Sequence, residues 1–448
     1  YNAIHMTQDR ALDILKTGAN VFLTGEPGAG KTYVINQYIN WLEAAGLHVA
    51  VTASTGIAAT HISGKTIHSW SGIGVKQELS KKDLTNLKRK EYLKKSIEKA
   101  KVLIIDEISM LHKKQLEAID EVISMFKENG SPFGGLQIVL CGDFFQLPPV
   151  GNNNERSKDK FCFMSTVWGE SDFHPCYLTQ QFRQNNDALM AILNQIRSGE
   201  VSSFSQQALK EAQHTVFDKR ITPTRLYTHN ADVDAINARE LEKLDGRKRN
   251  FKATTSGEKA ILETLKRSVQ AHDVLPLKKH AKVMFVKNNP EKGYINGSLG
   301  EIIDFEDTGF PVVELLDKTI ITATPEKWSV DDEAGNSLAW FNQIPLRLAW
   351  AITIHKSQGM TLDCAEVDLS ATFESGQGYV ALSRLKALKS LKLLGFNEKA
   401  LQVDQLAMKA DLRFQVLSNE NEQLNSHQLD EERKAFIKKS GGRSLKKL

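Results

Sequence analysis

Apolar residues in the first 150 positions fall into short unbroken runs, each ending in small or acidic residues. Val21, Phe22 and Leu23 lead into Thr24 and Gly25; Val102, Leu103, Ile104 and Ile105 lead into Asp106 and Glu107; Ile138, Val139 and Leu140 lead into Cys141, Gly142 and Asp143. Runs of four or so apolar residues without polar alternation predict strands covered on both faces, as in a sheet flanked by helices. After the first run, Val34, Ile35, Tyr38, Ile39 and Leu42 recur at three- and four-residue spacing and predict a helix. The alternation resumes with a strand at Thr222–Thr228 and a helix at Asp232–Leu244. It is completed by a strand at Glu366–Leu369, a helix at Gln377–Leu385 and a strand at Leu391–Leu394. Between the two parts, Val283–Val286, Gly300–Ile303, Val312–Leu316 and Thr319–Thr322 read as short strands, with Asn296-Gly297 as turn chemistry. Strands without helices predict a small barrel there, or a β arm on the second unit.

Length and charge refine this picture. A chain of 448 residues is too long for one core and predicts two to four domains. No apolar run approaches the ~18 residues of a membrane span, and no basic, apolar, small-residue leader opens the sequence. The four cysteines, Cys141, Cys162, Cys176 and Cys364, form no CxxC pair and read as reduced structural thiols of a cytoplasmic protein. The net charge is only +4, yet Lys76–Lys101 alone holds ten Lys/Arg against four Asp/Glu, a net +6. That stretch reads either as an arm that attracts phosphates or as a solvated helix face. Beyond about Asn419 the chain turns polar and then basic, and is expected to be flexible.

The chemistry begins at Gly25-Glu26-Pro27-Gly28-Ala29-Gly30-Lys31-Thr32, between the first strand and its helix. This is GxxxxGK[ST] in the context that gives it meaning. Glycines let backbone N–H groups turn toward phosphate oxygens, Lys31 adds a full charge, and the Thr32 hydroxyl can ligate Mg²⁺. The second strand supplies the partner acids: Asp106 to hold Mg²⁺ through water, and Glu107 to orient or deprotonate an attacking water. ATP and Mg²⁺ are therefore the expected cofactors, and hydrolysis the expected reaction. Gln146, past the third strand, could read the γ-phosphate or merely brace its loop.

These segments occur in order with ASTGIAA (Ala53–Ala59), GKTIHSW (Gly64–Trp70), IIDEISML (Ile104–Leu111), GDFFQLPPV (Gly142–Val150), LTQQFRQ (Leu178–Gln184), AITIHKSQGMTLD (Ala351–Asp363) and YVALSRLKALKSL (Tyr379–Leu391). The set resembles the superfamily-one DNA helicases that move 5′→3′, and DEISML with the helix after it resembles their Pif-one type. His112 departs from the acidic residue expected after that Leu. The resemblance implies an α/β fold of two RecA-like P-loop lobes. The first is 1–185, with a short wedge-like basic insertion at about 71–101. The second is 186–279 and 347–418, carrying a small SH3-like β insertion at 280–346. A polar and basic tail covers 419–448.

The resemblance also implies roles: Gln8 for the adenine edge, Gln146 for the γ-phosphate, Arg183 and Arg384 as arginine fingers, and Gly359 near the nucleotide. For single-stranded DNA it points to Thr55, His68 and Phe144 on the first lobe, with Phe145 and Trp70 behind them, and to Asn230, His355 and Lys356 on the second. Expected partners are single-stranded DNA and single-strand/duplex junctions, with G-quadruplexes and RNA–DNA hybrids, in DNA repair, recombination and telomere maintenance; no membrane is implied, and a monomer is compatible with the sequence. The alternatives are a RecD-like recombination subunit, an RNA-directed motor, or an ATP-switched DNA-binding protein that does not translocate. Location would follow origin: cytoplasmic and nucleoid-associated in a bacterium, nuclear or mitochondrial in a eukaryote.

Overall fold

The computed structural model describes residues 6–443 apart from 63, 75, 150, 152–154, 180–187, 218–222, 270, 288, 295, 316 and 332–336. Its residues group into two compact units: 1–209 with 372–388 and 397–448, and 210–371 with 389–396.

The first unit is built on six strands: β1 (Val21–Gly25), β2 (Val49–Ala53), β3 (Lys65–Thr66), β4 (Val102–Asp106), β5 (Gln137–Cys141) and β6 (His174–Leu178). They pair in parallel in the order β3-β2-β4-β5-β1-β6. β1 and β5 are buried at every position, which is why their sequences carry no polar alternation. Every strand of this sheet points the same way, so the ends of β4, β5 and β1 lie side by side. In open parallel sheets the cleft at those carboxyl ends is where ligands bind.

Residues of the two faces form separate cores. One gathers Phe22, Leu103, Ile105, Ile119, Phe144, Phe161, Trp168 and Phe414; the other gathers Leu15, Leu23, Ile35, Tyr38, Val139, Cys176 and Leu429. The basic stretch forms two helices, Lys81–Lys88 and Glu91–Lys99. They pack by Leu87, Leu93 and Ile97, while Lys82, Lys88, Arg89, Lys94, Lys95 and Lys99 stay exposed. His112, the departure noted above, caps the helix Lys113–Lys127. Its Nδ1 accepts the Lys114 N–H at 3.2 Å, which leaves Nε2 to donate to Glu155 at 3.1 Å. A ring nitrogen thus does the work of a capping carboxylate.

The expectation of a flexible tail is wrong. Residues 405–440 form helices Gln405–Glu422 and Ser426–Ser440, both grouped with the first unit. Phe414 packs against Phe22 with ring centroids 4.9 Å apart, Leu429 joins the second core, and the Phe436 ring lies over Gly18. The sparse apolar spacing of these helices hides the burial, since a few large residues do most of the packing.

The second unit contains β7 (Thr224–Tyr227), β8 (Arg249–Lys252), β9 (Thr254–Gly257), β10 (Val274–Leu277), β11 (Lys282–Phe285), β12 (Leu299–Phe305), β13 (Pro311–Leu315), β14 (Ile320–Thr322), β15 (Glu326–Asp331), β16 (Ser337–Gln343), β17 (Leu346–Leu348), β18 (Ala351–Thr353), β19 (Ala365–Leu369) and β20 (Leu391–Phe396). A parallel sheet β18-β7-β19-β20 is interrupted by the β-rich insertion. The insertion has an antiparallel sheet β14-β13-β12-β11-β17 over a core of Val283, Phe285, Tyr294, Ile302 and Val313. It also has a sheet β15-β16-β9, on which helix Lys259–Ser268 packs through Leu265 against Phe341. The fold class is as expected, two parallel α/β cores with an antiparallel insertion. The sheet containing β9 went unforeseen, because β9 is far in sequence from its partner β16. Among the described residues no helix is long and apolar enough to cross a membrane.

Candidate active site

The glycine-rich loop leaves β1 and enters helix Lys31–Ala44 through Gly30, whose φ of +88° belongs to the left-handed region. A Cβ on Gly30 would stand 1.9 Å from Gln8 Nε2. Gln8 is that close because it donates from Nε2 to the Ala29 carbonyl at 3.1 Å. The residue read as an adenine contact is therefore fastened to the phosphate loop. Lys31 Nζ donates to the carbonyls of Gly25 at 2.8 Å and Glu26 at 3.1 Å. Thr32, next to it, is exposed.

β4 delivers Asp106, and the backbone then turns sharply at Glu107, a non-glycine residue with φ 51° and ψ 45°. Such a conformation costs about 1–3 kcal/mol and persists where its surroundings fix it. Here the Asp106 carboxylate accepts the Glu107 N–H at 2.8 Å, and Ser54 donates from Oγ to the Glu107 carbonyl at 2.6 Å.

Cys141, ending β5 between those two strands, reports how near they are. Burial raises its thiol pKa well above the ordinary range, and the Asp106 carboxylate it hydrogen-bonds raises it further, while the Lys31 ammonium pulls it down. Three strand ends thus bring Lys31, Asp106 and Glu107 to one place. Gln146 follows on the next turn, 7% exposed, and its Oε1 is buried with no hydrogen-bond partner among the described residues. A buried acceptor left unmatched costs about 1–3 kcal/mol.

The residues fit ATP and Mg²⁺. A loop with no room for a Cβ at Gly25 or Gly30, a lysine, a hydroxyl beside it, two acids at the end of β4 and an unmatched amide oxygen form the donor set such a ligand needs. Thr32 and Asp106 would hold the metal; Gly25, Glu26, Pro27, Gly28, Ala29, Gly30 and Lys31 would hold the phosphates.

Arg384 caps the helix Gln377–Ser383 at 6% exposure, donating from Nε to the Val380 carbonyl at 3.0 Å and from Nη2 to Ser383 Oγ at 2.8 Å. The sequence places this helix in the second lobe, but residues 372–388 group with the unit that holds the phosphate loop. The physical reason is its burial at every position, with Gly376 at its N-cap against the Gln146 carbonyl. Arg183 lies outside the described residues. Gly359, in the second unit, has φ +81°.

The candidate strand contacts divide. Phe144 is corrected: it is 5% exposed, with its ring 5.3 Å from Phe22, 4.8 Å from Phe163 and 5.9 Å from Phe161. No face remains for a base. Its partners come from segments far along the chain, which hid this from the sequence. Phe144→Ala should cost about 3–5 kcal/mol by opening a cavity, measured by denaturant unfolding. Undiminished stability with selective loss of strand binding would reinstate the stacking role.

Phe145 and Trp70 are also buried, at 3% and 8% exposure. Thr55 accepts the Ala58 N–H at 3.2 Å and caps helix Gly56–His61. His68 is partly buried, which lowers its pKa, and hydrogen-bonds Gln115. In the second unit, Asn230 opens helix Asn230–Lys243, with its side chain outside the described residues. His355 and Lys356 sit on the turn Ile354–Ser357 after β18, both half-buried. Burial, then the charge of Arg347, pushes Lys356 down to about 8. Arg347 itself is paired to Asp234 at 2.5 Å.

Arg197 had no role in the sequence reading. It lies on helix Ala188–Ser198 at 7% exposure. Its Nη1 donates to Asp143 Oδ2 at 2.8 Å and to Tyr379 Oη at 2.7 Å, and its Nη2 to Tyr177 Oη at 2.5 Å. The guanidinium carbon stands 4.3 Å over the Phe145 ring, and Asp411 is 3.5 Å away. Burial pushes the Asp411 carboxyl up to about 6 against the pull of that guanidinium. Asp143 and Tyr379 belong to motifs quoted above, but nothing in their spacing shows that they meet.

The chain is similar to known proteins along most of its length. A family model for PIF1-like helicases matches residues 4–216. The ATP-dependent DNA helicase Pif1 of Psychrobacter is 48% identical over 499 residues, covering 98% of this chain and 75% of that protein. The human ATP-dependent DNA helicase PIF1 is 36% identical, covering 89% of this chain; the chain spans 62% of the human protein's length. Among solved structures, Candida albicans Pif1 helicase superposes with a TM-score of 0.84 at 32% identity, over 91% of this chain and 98% of that one. Bacteroides Pif1 in complex with ADP-AlF3 and single-stranded DNA gives 0.76 at 32% identity, over 92% and 97%.

Proposed function

Because the chain belongs to the PIF1-like helicase family, we propose that it is an ATP-driven motor that moves 5′→3′ along single-stranded DNA and unwinds duplex at junctions. ATP hydrolysis follows from the family, whose members here are named ATP-dependent DNA helicases. The observation that carries the reading is the meeting of Lys31, Asp106 and Glu107 past the ends of β1 and β4, on either side of the buried Cys141 thiol that ends β5. Direction, action on G-quadruplexes and RNA–DNA hybrids, and work in repair, recombination and telomere maintenance belong to the proposal. A solved relative titled for DNA unwinding at forked duplex supports the junction substrate.

When bound, ATP supplies the transferable phosphoryl group and Mg²⁺ the charge that offsets its oxygens. The chain's part is positioning and electrostatics. Lys31 and the loop N–H groups fix the phosphates, and Gln8 borders the base. Glu107, held in its turn by Ser54 and Asp106, orients the attacking water and takes its proton. The unmatched Oε1 of Gln146 accepts a hydrogen bond from that water. Arg183 and Arg384 present positive charge to the reacting oxygens. On the strand side, Thr55, His68, Asn230, His355 and Lys356 remain as contacts, and the exposed lysines of 81–99 as the arm ahead of them.

Tailed duplexes test the reading. A 5′-tailed duplex should be unwound with ATP and a 3′-tailed one left intact. Unwinding from 3′ tails alone would overturn the direction, and ATPase indifferent to single strands would overturn the motor.

Lys356 gives a pH signature. Its folded value lies below that of an unfolded lysine, so stability falls as pH drops from the unfolded value toward about 8; the cost is fully present below about 8 and absent above the unfolded value. A neighbouring phosphate would favour the ammonium. Strand affinity should therefore weaken as pH rises through about 8 and lose this dependence in Lys356→Arg, as read by fluorescence anisotropy. An equal pH slope in both proteins would remove Lys356 from the strand.

A further inference from the structure

Arg197 touches neither the phosphate loop nor the acids of β4, yet its partners are the residues that shape two other parts of the site. Asp143 is the first. Its Oδ2 receives Arg197, its Oδ1 accepts the Phe145 N–H at 3.1 Å, and its carbonyl accepts the Gln146 N–H at 3.1 Å. One residue therefore clamps the turn that presents Gln146, and Arg197 holds that residue by its carboxylate. Tyr379 is the second. Its hydroxyl receives Arg197 and donates to the same Asp143 Oδ2 at 2.9 Å. It stands on helix Gln377–Ser383, which Arg384 caps. At the other end of that helix, a Cβ on Gly376 would meet the Gln146 carbonyl at 2.7 Å and the Phe145 carbonyl at 2.9 Å. The Gln146 turn and the Arg384 helix are thus locked together twice, by close backbone approach and by a shared carboxylate.

We propose that Arg197 and Tyr379 are positioning residues for hydrolysis: they fix the Gln146 turn and the Arg384 helix as one body, so that both reach the reacting phosphoryl group in register. This rests on the motor reading above and adds the device that aligns its two sensors. A planar guanidinium suits the task, since its fork meets a carboxylate and two hydroxyls at fixed angles while its face covers Phe145. Lysine would keep the charge and lose the fork. Tyr177 provides the internal control. Its residue is also buried and its hydroxyl binds the same guanidinium, but it stands on β6 and among the described residues its hydroxyl hydrogen-bonds neither Asp143 nor helix Gln377–Ser383.

The test compares Tyr379→Phe, Tyr177→Phe and Arg197→Lys in the full chain, with single-strand-stimulated ATPase resolved into kcat and KM and thermal melting alongside. Misalignment on this scale is worth about tenfold to a hundredfold in rate. Tyr379→Phe and Arg197→Lys should lose that much kcat with KM for ATP within about twofold, and Tyr177→Phe should keep kcat within about threefold. Equal kcat losses for the two tyrosine variants, or lowered melting with kcat unchanged, would reduce the cluster to structural glue and overturn the proposal. Wild-type protein without strand-stimulated turnover would overturn the motor reading instead, so the two failures are distinguishable.

Discussion

Lys31→Ala should abolish ATP hydrolysis and duplex unwinding together, by about 10³-fold in turnover, and leave single-strand binding within a small factor of wild type. The lysine is the one full positive charge on the phosphate loop, and it already leans on the carbonyls of Gly25 and Glu26. Its removal subtracts charge where the reacting oxygens gather negative charge, and no neighbour on that loop can replace it. The candidate strand contacts lie on other segments, so affinity for single strands should persist. Steady-state ATPase, a 5′-tailed duplex and a binding titration decide the matter. Unwinding that survives the substitution would remove the loop from the motor altogether.

Arg384→Ala carries the next largest effect, a loss of about 10³–10⁵ in strand-stimulated turnover with ATP affinity retained. A guanidinium that serves only as a helix cap would produce a different result, a lower melting temperature with kcat intact. The present contacts, to the Val380 carbonyl and Ser383 Oγ, occupy Nε and Nη2 within the helix's own last turn. Fluorescent nucleotide binding and melting, read beside kcat, separate catalysis from capping, and unchanged turnover would rule out the finger.

Local chemistry was readable from the sequence; meetings between distant segments were not. The loop at Gly25–Thr32 and the acids at 106 and 107 announce themselves, because each depends only on a strand end and its next few residues. Gln146 was seen but left ambiguous, and its buried, unmatched oxygen now argues against a loop brace. Phe144 failed for the converse reason. Only the family resemblance offered Phe144 as a strand contact, and Phe163 and Phe414, distant in sequence, enclose it. The Arg197 cluster draws on a loop, a strand and three helices, a combination that spacing cannot express. The helix Ser426–Ser440 was misread because its charged residues outnumber Leu429, Phe436 and Ile437, although those three do its packing.

The return of the last two helices to the first unit has a consequence for how the protein is made. Phe22 leaves the ribosome long before Phe414, and the bend at Gly18 before Phe436, with the whole second unit made in between. During that interval the first unit's aromatic face is open to solvent and to other nascent chains, a period in which chaperones have something to hold. Completion of the first unit's cores thus waits for residues 405–440, and a stop between the second unit and those helices leaves every motif in place and the first core unsealed.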